Sequence, residues 1–114
     1  RLIGTNPDLT GPTETGIAPA CRALISPIEL ATRKTAYFVG KPNPYMMRHA
    51  QKLLGCTSEE TVIIGDRMDT DIIAGLESQI ETILVLSGVT SRDTLKYFPY
   101  KPDHILNGVG DVVR

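Results

Sequence analysis

The chain has 114 residues, a formal charge of −1 and 41% hydrophobic residues, so it is one small domain or part of a larger one. Near-neutral charge argues against a dedicated nucleic-acid or membrane surface, and no apolar run approaches the roughly 20 residues of a membrane span. Cys21 and Cys56 are too few for a disulfide framework and read as reduced thiols, which with the absence of a signal peptide gives an expected cytoplasmic location.

Taken in order, residues 1–5 form a short strand closed by Asn6-Pro7-Asp8. Residues 9–18, rich in Thr, Gly and Pro, read as a loop. A helix is expected over 19–32, with Ala20, Leu24, Ile28 and Ala31 on one face. Pro27 interrupts it, and Ser26-Pro27 serves as cap and first residue of a second piece. Residues 35–39 form a strand leading into Gly40-Lys41-Pro42. Asn43-Pro44 then starts a helix whose apolar stripe is Met46, Met47, Ala50, Leu53 and Leu54, and Gly55 ends it.

The alternation repeats. Residues 60–64 lack polar alternation, as expected of a strand buried on both faces. A helix begins near Asp69 or Thr70 and carries Ile72, Ile73, Leu76 and Ile80. Residues 82–86 form another apolar strand, Ser91 caps a short helix through Tyr97, and residues 102–106 make a last strand. Strands alternating with helices predict a parallel sheet with right-handed crossovers, an α/β fold.

The chemistry concentrates in one run. The segment from Thr61 to Ile64 stops at Gly65, and Asp66, Asp69 and Asp71 follow. Ligands of open α/β sheets bind beyond the carboxyl ends of strands, where Asp66 falls. A carboxylate there suits magnesium, which takes few protein ligands and keeps water and phosphate in its other positions. Asp69 reads chiefly as a helix cap, and Asp71 as a first-turn acid that complements the helix dipole, as a second ligand, or as a group that orients one. Lys41, between a strand and a helix, is either an exposed loop lysine or a point charge for phosphate. His49 and His104 have no metal-ligand spacing, Ser87 and Thr90 have no evident base to activate them, and the Met46-Met47 pair reads as core filling.

Three stretches carry a resemblance: Gly40-Lys41-Pro42-Asn43-Pro44, the run from Gly65 to Ile72, and the run from Glu81 to Thr90. They resemble the NagD-like branch of the haloacid dehalogenase (HAD) superfamily. The Thr5-Asn6-Pro7-Asp8 opening and the segment from Thr15 to Cys21 look like the end of that branch's cap domain. The resemblance implies a partial Rossmann-like HAD core with parallel strands and flanking helices over 40–114, preceded by the end of an α/β cap over 1–39. It implies a magnesium-dependent phosphatase acting on small phosphomonoesters such as sugar phosphates, nucleotides or nitrophenyl phosphate. Lys41 matches the lysine that steadies nucleophile and phosphoryl group, Asp66 the Mg2+ ligand, and Asp71 the second acid of the metal shell. Arg67, Met68, Asp69 and Thr70 match a segment lining the substrate side, and Asp8 a cap loop facing it.

The family's Asp-x-Asp nucleophile motif is not found after a strand in the first part of the chain; the one such triplet is Asp69-Thr70-Asp71. The chain also opens at Arg1-Leu2-Ile3 without an initiator methionine, so a cut piece is expected, inactive alone. The strand at 62–64 then presents an unpaired apolar edge, which invites homo-oligomerisation or another partner. Rival readings are a non-catalytic segment joining a partner through that edge, and a receiver-like phosphoacceptor domain. The latter has no place for Gly40-Lys41-Pro42.

Overall fold

The computed structural model describes residues 1–113. The chain divides into two compact units, residues 1–43 and residues from 44 onward.

In the first unit, β1 (Ile3–Gly4) pairs in parallel with β4 (Tyr37–Phe38). Between them lie a hairpin of β2 (Thr10–Thr13) and β3 (Gly16–Pro19) and the helix α1 (Cys21–Thr32). The hairpin corrects the expected loop over 9–18. Both strands of a two-stranded ribbon are edges, where proline is tolerated, and Pro12 pairs with Ile17 while Pro19 pairs with Thr10. α1 also corrects an expectation, because it runs unbroken through Pro27. Ser26 caps nothing; its hydroxyl donates to the Arg22 carbonyl one turn back, at 2.8 Å. The predicted face of α1 is largely open, with Leu24 and Ile28 both exposed.

The second unit holds α2 (Pro44–Leu54), β5 (Val62–Gly65), a π-helical turn (Met68–Ile72) that runs into α3 (Ile73–Glu77), β6 (Glu81–Val85), α4 (Arg92–Leu95), β7 (His104–Leu106) and a final 3-10 turn (Val109–Val113). Its strands form one parallel sheet in the order β5-β6-β7, as the alternation predicts. Gly65 lies opposite Leu84, and Val85 opposite Leu106. Met68, Ile72 and Leu84 form the buried centre, and Leu76, Leu86, Leu95, Phe98 and Tyr100 pack against it. Fully burying a side chain such as Leu84 contributes roughly 1.5–3 kcal/mol. Ser91 caps α4 as expected: its hydroxyl accepts from the Thr94 N–H at 3.3 Å, and Thr94 Oγ1 accepts from the Ser91 N–H at 3.0 Å.

Three expectations fail in this unit. β5 is not buried on both faces, because it pairs with β6 alone among the described residues and leaves Val62 44% and Ile64 38% exposed. The α2 stripe is not core either; Met46, Leu53 and Leu54 are exposed. Finally, the helix after β5 starts at Met68 and stops before Ile80. Gln79 turns left-handed at φ 57°, its N–H donates to Leu76, and the Ile80 N–H donates to Gly75 at 2.9 Å. That Schellman closure ends α3 and sends Ile80 into the interior.

Candidate active site

The acidic run sits where β5 ends. The strand delivers Asp66 beyond its carboxyl end, and the chain then winds directly into the π-helical turn. The loop after β6 grips this corner. The Asp66 Oδ2 atom accepts from the Val89 N–H at 2.8 Å, and the Asp66 carbonyl accepts from the Thr90 N–H at 3.0 Å. Gly88 makes the approach feasible, since a Cβ there would overlap the Asp66 carboxylate. Asp66 Oδ1 has no hydrogen bond among the described residues.

Asp71 plays a different part. It is 5% exposed, and its Oδ2 accepts from the Arg67 N–H at 3.1 Å. That contact ties the cap residue of the turn to its fourth helical position and satisfies a donor that the helix leaves unmade. Gly65 is needed here for the same reason as Gly88, because a Cβ would overlap the Asp71 side chain. The two glycines bracketing the site are therefore each matched to one aspartate.

Asp69 does not cap the helix. Arg67 occupies the cap position with extended backbone and no side-chain cap bond. The Asp69 carboxylate instead accepts from two Arg67 donors, Nε at 3.0 Å and Nη2 at 2.8 Å. This forked contact, with the guanidinium charge, holds the Asp69 carboxyl below its ordinary range. Arg67 and Asp69 stand at the surface, while Met68 and Thr70 of the same turn are buried, Met68 at 1% exposure. Burial raises the Tyr100 phenol, with the Asp69 charge acting in the same direction.

Six of the seven predicted site residues thus lie in one short run, from Asp66 after β5 through the cap residue Arg67 to Asp71 in the turn. Lys41 belongs to the first unit, in a tight turn where the Asn43 N–H donates to Gly40 at 3.0 Å and the Lys41–Pro42 peptide is cis. Asp66, Asp69 and Asp71 do not form a three-ligand metal cluster, and none exists among the described residues. The sequence reading missed the grip of Gly88, Val89 and Thr90 on Asp66; only the Ser87-Gly88 strand end hinted at it. It also missed Tyr100, whose hydroxyl donates to the Met68 carbonyl at 3.1 Å. A cavity of about 590 Å3 lies at the other end of the sheet, between Leu76, Ile80, Glu81, Asp103 and His104, away from the acidic turn.

A family described as HAD-hydrolase-like matches residues 38–112, which takes in the acidic turn and the loop that grips it. The chain belongs to the HAD-like hydrolases. It is 46% identical over 112 residues to the dihydroxyacetone phosphatase of Corynebacterium glutamicum, a match covering 98% of this chain and 41% of that protein. It is 45% identical over 112 residues to the ribonucleotide monophosphatase NagD of Escherichia coli, covering 98% of this chain and 44% of NagD. The solved NagD structure superposes with a TM-score of 0.88 at 44% identity, over 97% of this chain and 43% of that one. The p-nitrophenyl phosphatase of Archaeoglobus fulgidus gives a TM-score of 0.85 at 35% identity, over 95% and 43% respectively. The chain therefore spans less than half the length of the HAD-like relatives it matches. No helix among the described residues is long and apolar enough to cross a membrane.

Proposed function

We propose that this chain is part of a magnesium-dependent phosphatase of small phosphomonoesters, such as sugar phosphates, nucleotides or nitrophenyl phosphate. The observation that carries the reading is the Asp66 carboxylate at the end of β5, with one oxygen fixed by the Val89 N–H and the other without a hydrogen bond among the described residues. That donor set fits a hard cation that takes one or two carboxylate oxygens and fills its remaining positions with water and phosphate. When bound, magnesium supplies positive charge that offsets the charge of the phosphoryl oxygens. Asp66 would hold it, Asp71 would support that shell by fixing the turn, and Lys41 would bring a second positive charge to the phosphoryl group. Arg67 and Asp69 offer the substrate side their surface charges, anchored by buried Met68 and Thr70.

The attacking aspartate comes from outside these 114 residues. Support for this lies in the chain's one Asp-x-Asp, whose carboxylates are both engaged within their own turn, Asp69 by Arg67 and Asp71 by the Arg67 N–H. The outside aspartate displaces the alcohol from phosphorus, and water then hydrolyses the aspartyl-phosphate. In this reading residues 1–39 close a cap domain and residues 40–114 form the second half of the core.

The test is hydrolysis of nitrophenyl phosphate by the protein in its full coding length, with and without magnesium. Magnesium-dependent turnover that collapses in Lys41→Ala is expected. Turnover indifferent to both magnesium and Lys41 would sink the proposal. The open edge of β5 supports a second reading, association through that strand. Sedimentation of the 114-residue chain would reveal it as concentration-dependent mass, and a monomer at all concentrations would discard it.

A further inference from the structure

The Met68 peptide is held on both sides by side chains far from it in sequence. Its N–H donates to Thr90 Oγ1 at 3.3 Å, across 22 residues, and its carbonyl accepts from the Tyr100 hydroxyl at 3.1 Å, across 32. Thr90 is itself 5% exposed, and its own N–H holds the Asp66 carbonyl at 3.0 Å. Asp66 and Met68 are thus both tied to Thr90, one through its backbone and one through its hydroxyl. Arg67 lies between these fixed points, and its N–H is the one that Asp71 accepts.

An ordinary helix start leaves its first N–H groups to water or to a capping side chain from its own chain neighbourhood. Here the cap residue, Arg67, makes no side-chain cap bond, and the N–H of the first helical residue is met by a threonine from another loop. The π-helical winding also departs from the usual i−4 pattern: the Ile72 N–H donates to Arg67 at 3.1 Å, five residues back. Such turns are rare and recur at functional sites, where packing from outside must hold them.

We infer that Thr90 is a positioning residue for the metal-holding turn, and that Tyr100 completes the clamp on the Met68 peptide. This rests on the function proposed above. The hydroxyl of Thr90 touches neither substrate nor metal in this scheme. It fixes the backbone from which Asp66 and Asp71 project, as outer partners of metal ligands do.

The test is magnesium affinity of the full coding length, read by calorimetry, together with the thermal midpoint. Thr90→Val removes the acceptor and keeps the shape; a loss of roughly 10- to 100-fold in magnesium affinity is expected, the range typical of outer-shell changes. Thr90→Ser keeps the hydroxyl and should restore affinity to within about twofold of the parent, whatever its midpoint. Tyr100→Phe removes one oxygen, leaves the ring packing, and should weaken binding by about threefold. A folded Thr90→Val with unchanged affinity overturns the inference. Should Thr90→Val fail to fold, Tyr100→Phe decides alone, and parental affinity there overturns it as well. A parent that binds no magnesium overturns the proposed function and this inference with it, whereas a binding parent with an indifferent Thr90→Val overturns only the latter.

Discussion

The parallel sheet of the second unit carries a gripped aspartate at each end, and the two grips differ. At the amino end of β6, Asp103 Oδ2 accepts from both the Thr82 N–H at 2.9 Å and the Thr82 hydroxyl at 2.7 Å. The Asp103 N–H donates back to the same hydroxyl at 2.9 Å. Donors and acceptors close on one another, and Thr82 is fully buried. At the carboxyl end, Asp66 Oδ2 receives a single backbone N–H, and the Oδ1 atoms of both aspartates have no hydrogen bond among the described residues. One arrangement locks β7 to β6; the other orients a carboxylate with a single donor. Under the proposed function, this pair of aspartates on one sheet divides stability from chemistry by how many of their lone pairs the protein itself fills.

The largest contrast should come from removing each in turn. In the full-length protein, Asp66→Asn should lower phosphate-ester turnover by about 100-fold or more while leaving the thermal midpoint near the parent's. Asp103→Ala should do the reverse. It strands the buried N–H and hydroxyl of Thr82, at a cost of about 1–3 kcal/mol by urea unfolding, with turnover retained in the folded protein. If Asp66→Asn unfolds as easily as Asp103→Ala and both turn over normally, the two ends are doing the same job and the contrast is void.

The sequence made the carboxyl end legible and the amino end almost invisible, for physical reasons. Asp66 follows an apolar strand and a glycine, a local pattern that survives without knowledge of the fold. The Asp103–Thr82 lock spans 21 residues, so no local spacing betrays it. The same holds for the grip of Thr90 and Tyr100 on Met68, which sequence reading could not pair. Local reading also erred where tertiary bonds overruled propensity. Asp69 has a cap-forming side chain, but a guanidinium two residues away offers it two charged donors and takes it. Residues 9–18 look like a loop by composition, yet threonine and isoleucine suit a ribbon whose edges accept proline. The stripe on α2 was read correctly as apolar and wrongly as covered, because periodicity reports a face and not what lies against it.

The acid limb of stability sharpens the comparison further. Hydrogen bonds from the Thr82 hydroxyl and then its N–H hold the Asp103 carboxyl below its ordinary 3.8. A carboxyl depressed in the folded state contributes stability that is full above 3.8 and is lost as pH falls through its lower folded value. Thr82→Val, which removes the hydroxyl, should therefore bring that loss closer to 3.8 and flatten the difference in urea midpoint between pH 5 and pH 3. An acid limb unchanged in Thr82→Val would mean that the lock contributes nothing through charge.

The smallest effect should come from the Arg67–Asp69 pair, which sits on the surface of the same turn whose backbone matters most. The pair is 2.8 Å apart, but its side chains are 33% and 55% exposed, so solvent screens it and its removal should cost less than about 1 kcal/mol. Arg67→Ala leaves the Arg67 N–H in place for Asp71, and so leaves the turn closed. The Asp69 carboxyl should titrate upward toward its ordinary range in that variant, followed by carboxyl chemical shifts, while the urea midpoint hardly moves. Added salt should shrink even that small difference. A loss of several kcal/mol on Arg67→Ala would mean that the guanidinium, not the Asp71 carboxylate, closes the turn. Asp71 would then be left without the structural part that distinguishes it from Asp66.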